Sequence, residues 1–190
     1  MSSEPLLGME DVACIRGGRL LFEGISLELN AAGAAVVTGP NGAGKSSLIR
    51  VAAGLLGASA GTVRRGGAAA IADEGLALDQ RLPLGKALGF WARLDGSEAA
   101  AGIDAMGLWR LEAVPVRMLS SGQRKRAALA RVVASGAPLW LLDEPLNALD
   151  AEGAERLAAA MAEHRRRGGA ILAASHQPIG LESAAEVRLG

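Results

Sequence analysis

The chain contains one cysteine, three lysines, no net charge and no long apolar run, and each shortage excludes something. The lone Cys14 can form no intrachain disulfide and is too little for a cysteine-based metal site, which fits a reducing, cytoplasmic compartment. Twenty Lys and Arg balance twenty Asp and Glu, so no global basic field exists to hold a nucleic-acid backbone, and nucleic acid is not an expected partner. No stretch approaches the ~20 apolar residues that span a bilayer. Met1 to Pro5 carry neither the positive start nor the apolar run of a secretory signal. The expectation is a soluble chain, or one held at a membrane only through a partner. The shortage of lysine beside abundant Arg, Ala and Gly reads as a compositional bias, which makes the lysines that remain, at 45, 86 and 125, the informative ones.

Half of the 190 residues are hydrophobic and 21% are charged, the composition of a chain that buries a core. At ~150 residues per domain this length predicts a single domain over the whole chain. Alternation of apolar and polar residues from Val12 to Leu29 predicts half-buried strands and an antiparallel opening to the fold. Ala34 to Val37 is a short buried strand, Thr38 to Gly44 a glycine-rich loop, and Ser46 to Leu56 a helix with Leu48, Val51, Ala52 and Leu55 on one face. A short strand at Thr62 to Arg64 follows. Residues from about 82 to 120 read as a helical insert, with helices predicted over Leu84 to Leu94 and Glu98 to Leu111. Then come a helix from Gly122 to about Ser135, an intensely apolar strand Leu139 to Leu142, a helix from about Ala151 to Arg167 and a strand Ala170 to Ala174. Strands alternating with helices predict a parallel α/β sheet.

Gly39-Pro40-Asn41-Gly42-Ala43-Gly44-Lys45-Ser46 fits G-x-x-x-x-G-K-[ST] between a predicted strand and a predicted helix, the setting of a phosphate loop. Consecutive backbone N–H groups at a helix N-terminus wrap phosphates, and glycines let the backbone come close. Lys45 is expected on the β- and γ-phosphates of a nucleotide, Ser46 on Mg²⁺ and Ser47 at the α-phosphate. Further on, Leu139 to Leu142 deliver Asp143 and Glu144 to the carboxyl end of a buried strand, where open α/β sheets bind ligands. Asp143 is expected to hold Mg²⁺ through water, and Glu144 to orient and polarise the attacking water. Standing alone, the pair would read as a cap on the strand before Pro145; downstream of a phosphate loop it reads as catalytic. Leu119-Ser120-Ser121-Gly122-Gln123 opens a helix with the S-x-x-Q spacing of a capping box, and a capped N-terminus with a glycine is also an anion site.

That last segment resembles the L-S-G-G-Q signature of the ATP-binding cassette (ABC) ATPases, with Ser121 in place of the first glycine. The phosphate loop, the signature, the strand acids, Asn147-Ala148-Leu149-Asp150 and His176 occur in the order of that family, and the resemblance covers nearly the whole chain. It implies an α/β phosphate-loop NTPase of the ABC ATPase type: a mixed sheet core, an N-terminal antiparallel β lobe and a helical insert. It also implies ATP and Mg²⁺ as cofactors, and a second copy of the chain closing on the nucleotide, with Ser120 and Gly122 acting across the dimer and Gln123 among the nucleotide-contacting residues. Asp150 joins the nucleotide-contacting set on the same ground. His176, after the strand Ala170 to Ala174, resembles the family's switch histidine on the γ-phosphate and is expected to be catalytic with Glu144 and Lys45. His164, beside Arg165-Arg166-Arg167 on a polar helix face, has no motif and reads as a solvated or core residue.

Within the family, Cys14 to Phe22, Phe90 to Leu94, Ala137 to Pro145 and Ser175 to Pro178 resemble the ATP-binding subunits of haem exporters in cytochrome c biogenesis. This implies integral membrane subunits of the cytochrome c maturation system as partners, a peripheral position on the cytoplasmic face of the inner membrane, and work on haem or on a haem-loaded chaperone. Two departures stand out. Where most members stack an aromatic residue on adenine, this chain has Arg16, whose guanidinium can also stack on a base. The glutamine loop, expected near Ile71 to Leu78, has no Gln, and Glu74 stands there as a candidate Mg²⁺ ligand. The alternatives are an ATP-binding subunit of a transporter for another substrate, a soluble ABC-type ATPase, for which the chain has neither a tandem cassette nor a long coiled-coil insertion, and a slow regulatory nucleotide module, suggested by the missing glutamine.

Overall fold

The computed structural model describes residues 4–190; Met1, Ser2 and Ser3, part of the stretch read for a secretory signal, lie outside the described residues. The opening alternation folds into two long strands, β1 (Leu7–Arg16) and β2 (Arg19–Leu29), paired antiparallel and turned at Gly17-Gly18. β1 carries a bulge at Asp11 (φ 48°), which re-phases the strand so that Leu7 and Met9 before it and Val12 and Cys14 after it all face inward. That bulge is why strict alternation is legible only from Val12 onward. The third member of this antiparallel sheet is β4 (Ala60–Arg65), on the other edge of β1. Burial raises the Cys14 thiol above its ordinary value, with Arg16 opposing, so it is an inert core side chain.

The remaining strands make a separate, wholly parallel sheet in the order β5-β6-β7-β3-β8, formed by β3 (Ala34–Thr38), β5 (Ala69–Ala72), β6 (Leu139–Asp143), β7 (Ala170–Ala174) and β8 (Ala185–Arg188). All five residues of β6 and of β7 are buried, as required of parallel strands covered on both faces. Alternate side chains serve two cores. Leu139 and Leu141 join α1 (Lys45–Ala53) and the antiparallel sheet on one face. Trp140 and Leu142 join α2 (Leu84–Leu94), α4 (Ser121–Ala134) and α5 (Ala151–Arg166) on the other.

The helical insert differs from expectation at one place. The predicted helix Glu98 to Leu111 breaks into α3 (Ala100–Ala105) and a single 3₁₀ turn, Trp109–Leu111, because Gly107 adopts φ 63° between them. A second 3₁₀ turn, Val116–Met118, leads into α4. α1 stops at Ala53, short of the predicted Leu56, where Gly54 (φ 77°) turns its N–H back to the helix and the Arg65 guanidinium caps the carbonyls of Val51 and Ala52.

His164 is a structural residue, as expected. It stacks on Trp140 with ring centroids 3.9 Å apart and an interplanar angle of 11°, tying the end of α5 to the sheet. Burial holds its imidazole below the ordinary value of 6.5, against hydrogen bonds to the carbonyls of Ala170 and Pro138. An imidazole that protonates less readily in the folded than in the unfolded chain contributes stability that is complete above 6.5 and is lost as pH falls below it. Thermal unfolding midpoints are therefore expected to drop between about pH 7.5 and about pH 5.5, and His164→Phe, which keeps a ring on Trp140 without a titrating nitrogen, is expected to flatten that slope. Equal slopes in the two proteins would contradict this role.

Candidate active site

The carboxyl ends of β3, β6 and β7 lie side by side, and the loops leaving them build one cleft of about 580 Å³. The phosphate loop supplies Asn41, Gly42, Gly44, Lys45, Ser46 and Ser47; the loop after β6 supplies Glu144 and Asn147; His176 comes from the loop after β7. Arg16 and Leu21 reach it from the hairpin, and Glu74 from the segment after β5. Gly39, Pro40 and Ala43 do not line the cleft. Gly39 turns the chain at φ 142° with its α-carbon against Leu189, where a Cβ would stand 2.4 Å from the carbonyl oxygen, so only glycine fits.

α1 begins directly from this loop, with no side-chain cap and no acidic residue in its first turn. Its N-terminal N–H groups and dipole are thus left for an anion in the cleft. Lys45 is buried, and its ammonium donates to the carbonyls of Gly39 and Pro40, at 2.8 and 3.2 Å. The cation is therefore folded onto its own loop, beside the place an anion would occupy.

β6 places its two carboxylates differently: Glu144 lines the cleft, and Asp143 lies buried behind it, on the neighbouring cavity that Glu144 also lines. Asp143 is 2% exposed, and its Oδ1 has no hydrogen-bond partner among the described residues. Burial raises its carboxyl above the ordinary value of 3.8, chiefly opposed by the Ser46 hydroxyl beside it. A buried carboxylate oxygen without a donor, next to a hydroxyl and a phosphate loop, fits a divalent cation. No group of three or more His, Cys, Asp or Glu side chains is assembled for a metal among the described residues, so such a cation would also need oxygens from a bound ligand.

Glu144 extends past the strand end with φ 43°, a left-handed conformation costing about 1 kcal/mol for a residue with a Cβ. Its N–H still donates to Ala174, 2.9 Å away, and its Oε2 lies 2.7 Å from Nδ1 of His176. The fold thus joins a carboxylate and an imidazole 32 residues apart in sequence at the cleft mouth.

The signature residues stand elsewhere. Ser120 and Gln123 form the predicted capping box, with Gln123 N–H donating to Ser120 Oγ at 3.2 Å and Ser120 N–H to Gln123 Oε1 at 2.9 Å. Asp150 caps α5 in the same way, accepting from the N–H of Gly153 at 2.8 Å. Gly122 packs its α-carbon on the Ala148 carbonyl, where a Cβ would stand 2.8 Å away. None of these four lines the cleft of its own chain. Leu21 and Asn147 also line the cleft; Asn147 opens the Asn147-Ala148-Leu149-Asp150 stretch that stands in the family's motif order, whereas no motif marks Leu21.

Comparison with known proteins agrees with this geometry. Residues 22–147 match the ABC transporter family. The cytochrome c biogenesis ATP-binding export protein CcmA of Sphingopyxis alaskensis is 55% identical, over 97% of this chain and 97% of that protein. Its counterpart in Novosphingobium aromaticivorans is 58% identical, over 90% of this chain and 89% of that protein. A solved ATP binding subunit of an ABC transporter superposes with a TM-score of 0.86 at 22% identity, covering 97% of this chain and 85% of that one.

Asp143→Asn removes a buried charge that its neighbours satisfy at only one oxygen, so the ligand-free protein is expected to gain about 1 kcal/mol of stability. Urea denaturation of the two proteins measures this, and a destabilised variant would contradict the description of Asp143 as an incompletely satisfied carboxylate.

Proposed function

The chain belongs to the ABC transporter family, and from that premise we propose that it is the ATP-hydrolysing subunit of an exporter serving cytochrome c biogenesis. The observation that carries hydrolysis is the pairing of Glu144 with His176 at 2.7 Å over a phosphate loop. In this reading residues 1–190 act as one nucleotide-binding domain with a helical insert at about 82–120. The triphosphate lies on the open N-terminus of α1, and Lys45 leaves the carbonyls of Gly39 and Pro40 for the β- and γ-phosphates. Mg²⁺, when bound, supplies neutralisation of the phosphate oxygens. Ser46 and Asp143 would hold it, with Glu74 at the same cleft as a further ligand. Ser47 takes the α-phosphate, and Arg16, exposed at the rim, stacks on the base.

Glu144 orients the attacking water and accepts its proton, while His176 holds that carboxylate from Nδ1 and turns Nε2 to the γ-phosphate. Ser120, Gly122 and Gln123, together with Asp150, lie outside the chain's own cleft, and they serve the nucleotide of a second copy across a closed dimer. This arrangement makes a single chain only half of a working site.

No helix among the described residues is long and apolar enough to cross a membrane, and in this reading the crossing belongs to separate subunits. They dock on the cytoplasmic face through the groove between the 71–78 segment and the helices α2 and α4. There Trp91 donates its indole N–H to Ala77, Arg131 lies over the Trp91 ring at 4.7 Å, and the same guanidinium donates to Ile71 at 2.8 Å. Exposed Phe90 and Leu94 extend the apolar face of α2 beside it. A partner pressing on this groove moves the segment that carries Glu74. The names of the relatives support export in cytochrome c biogenesis, and the cargo is haem or a haem-loaded chaperone.

Glu144→Gln is expected to lower steady-state ATP hydrolysis at least about a hundredfold while preserving ATP binding. Tagged, the same variant should copurify with the membrane subunits of the haem pathway in mild detergent. Recovery of a different membrane protein would overturn the cytochrome c assignment, and wild-type hydrolysis by the variant would overturn the role of Glu144.

A further inference from the structure

Among the consecutive cations Arg124, Lys125 and Arg126 of α4, Lys125 reaches the backbone of the strand acids. Arg124 is occupied with the Leu119 carbonyl. The Lys125 ammonium donates to the backbone carbonyl of Asp143 at 3.2 Å, and it shares a cavity of about 260 Å³ with Asp73, Glu74, Asp143 and Glu144. Burial lowers the ammonium from its ordinary value, and the four carboxylates oppose that shift. Asp73 also has Arg50 at 3.4 Å, and Glu144 has His176 at 2.7 Å.

The contact falls at a telling place. The peptide group that joins Asp143 to Glu144 is held at both ends: its carbonyl by Lys125, and its N–H by the Ala174 carbonyl at 2.9 Å. That peptide sets the direction in which the chain enters Glu144, and Glu144 follows with φ 43°. A left-handed residue outside a glycine persists only where its surroundings over-determine it, and two hydrogen bonds on the preceding peptide do so here. Lys125 also sits on the helix whose first turn is the signature segment, one turn beyond the capping box.

We propose that Lys125 is a positioning residue for hydrolysis, gripping the peptide that aims Glu144 and thereby tying the signature helix to the hydrolytic carboxylate of the same chain. This rests on Glu144 as the water-orienting group. Lys125 does not line the cleft of the phosphate loop, so its loss acts on turnover and not on nucleotide capture.

The test is steady-state hydrolysis by the full chain, alone and with its copurified membrane partner, for wild type, Lys125→Met, Lys125→Arg and Glu144→Gln. Lys125→Met is expected to lower kcat about tenfold with KM for ATP within about twofold, and Lys125→Arg, which keeps charge and donors, to restore most of the rate. A Lys125→Met protein with wild-type kcat overturns the proposal, as does a loss of rate that Arg does not repair or that comes with a matching rise in KM. Should Met prevent folding, Lys125→Gln decides on the same split of kcat from KM. An active wild type with a dead Glu144→Gln and an unaffected Lys125→Met would sink only this inference; activity surviving in Glu144→Gln would sink the reading of the site beneath it.

Discussion

Asp143 ends a strand whose five residues are all buried, and one of its carboxylate oxygens meets no donor among the described residues. Four apolar side chains, Leu139 to Leu142, carry it there, and their burial on two faces is what keeps water from it. A charge so placed is costly in the ligand-free fold. The Ser46 hydroxyl beside it, Lys125 on α4 and Arg50 on α1 temper the cost. Everything else at the site is arranged around this incompletely satisfied carboxylate. The phosphate loop faces it, Glu144 follows it, and His176 closes over Glu144 from the neighbouring strand.

The helix N-termini divide the labour in the same spirit. α1 enters the cleft without a side-chain cap, leaving its free N–H groups to a ligand, whereas α4 and α5 are capped by their own Ser120–Gln123 box and Asp150. An uncapped N-terminus at a glycine loop is a place for phosphate. The capped ones are rigid, outward-facing ends, suited to presenting backbone and hydroxyl groups to another molecule. Gly122 against the Ala148 carbonyl locks the start of α4 to the loop that carries Glu144, so the outward surface and the inner carboxylate form one mechanical unit. Lys125 strengthens the same link one turn deeper.

The chemistry of the site was legible wherever it was contiguous in sequence: the phosphate loop, the strand acids and the capping box all stand where spacing puts them. α2 and β7 match their predicted ranges residue for residue. β5, Ala-Ala-Ile-Ala, and β8, Ala-Glu-Val-Arg, went unread, because short edge strands poor in β-branched residues have no period to detect. Gly107, which ends α3, lies within an otherwise helical pattern and so was passed over. The pairing of Glu144 with His176, the left-handed backbone at Glu144 and the reach of Lys125 to Asp143 depend on how the strands order themselves, and no local pattern announces them.

The central claim is that each chain carries half of two hydrolytic sites. Mixing two inactive variants tests it most directly: Ser120→Asp, which keeps the α4 cap but sets a negative charge toward a partner's phosphates, and Glu144→Gln, which keeps the signature but not the carboxylate. In a 1:1 mixture half the dimers are mixed and each has one intact composite site, so hydrolysis is expected to return to about a quarter of the wild-type rate. Activity no greater than the sum of the two separate variants, under conditions where mixed dimers form, would contradict the account.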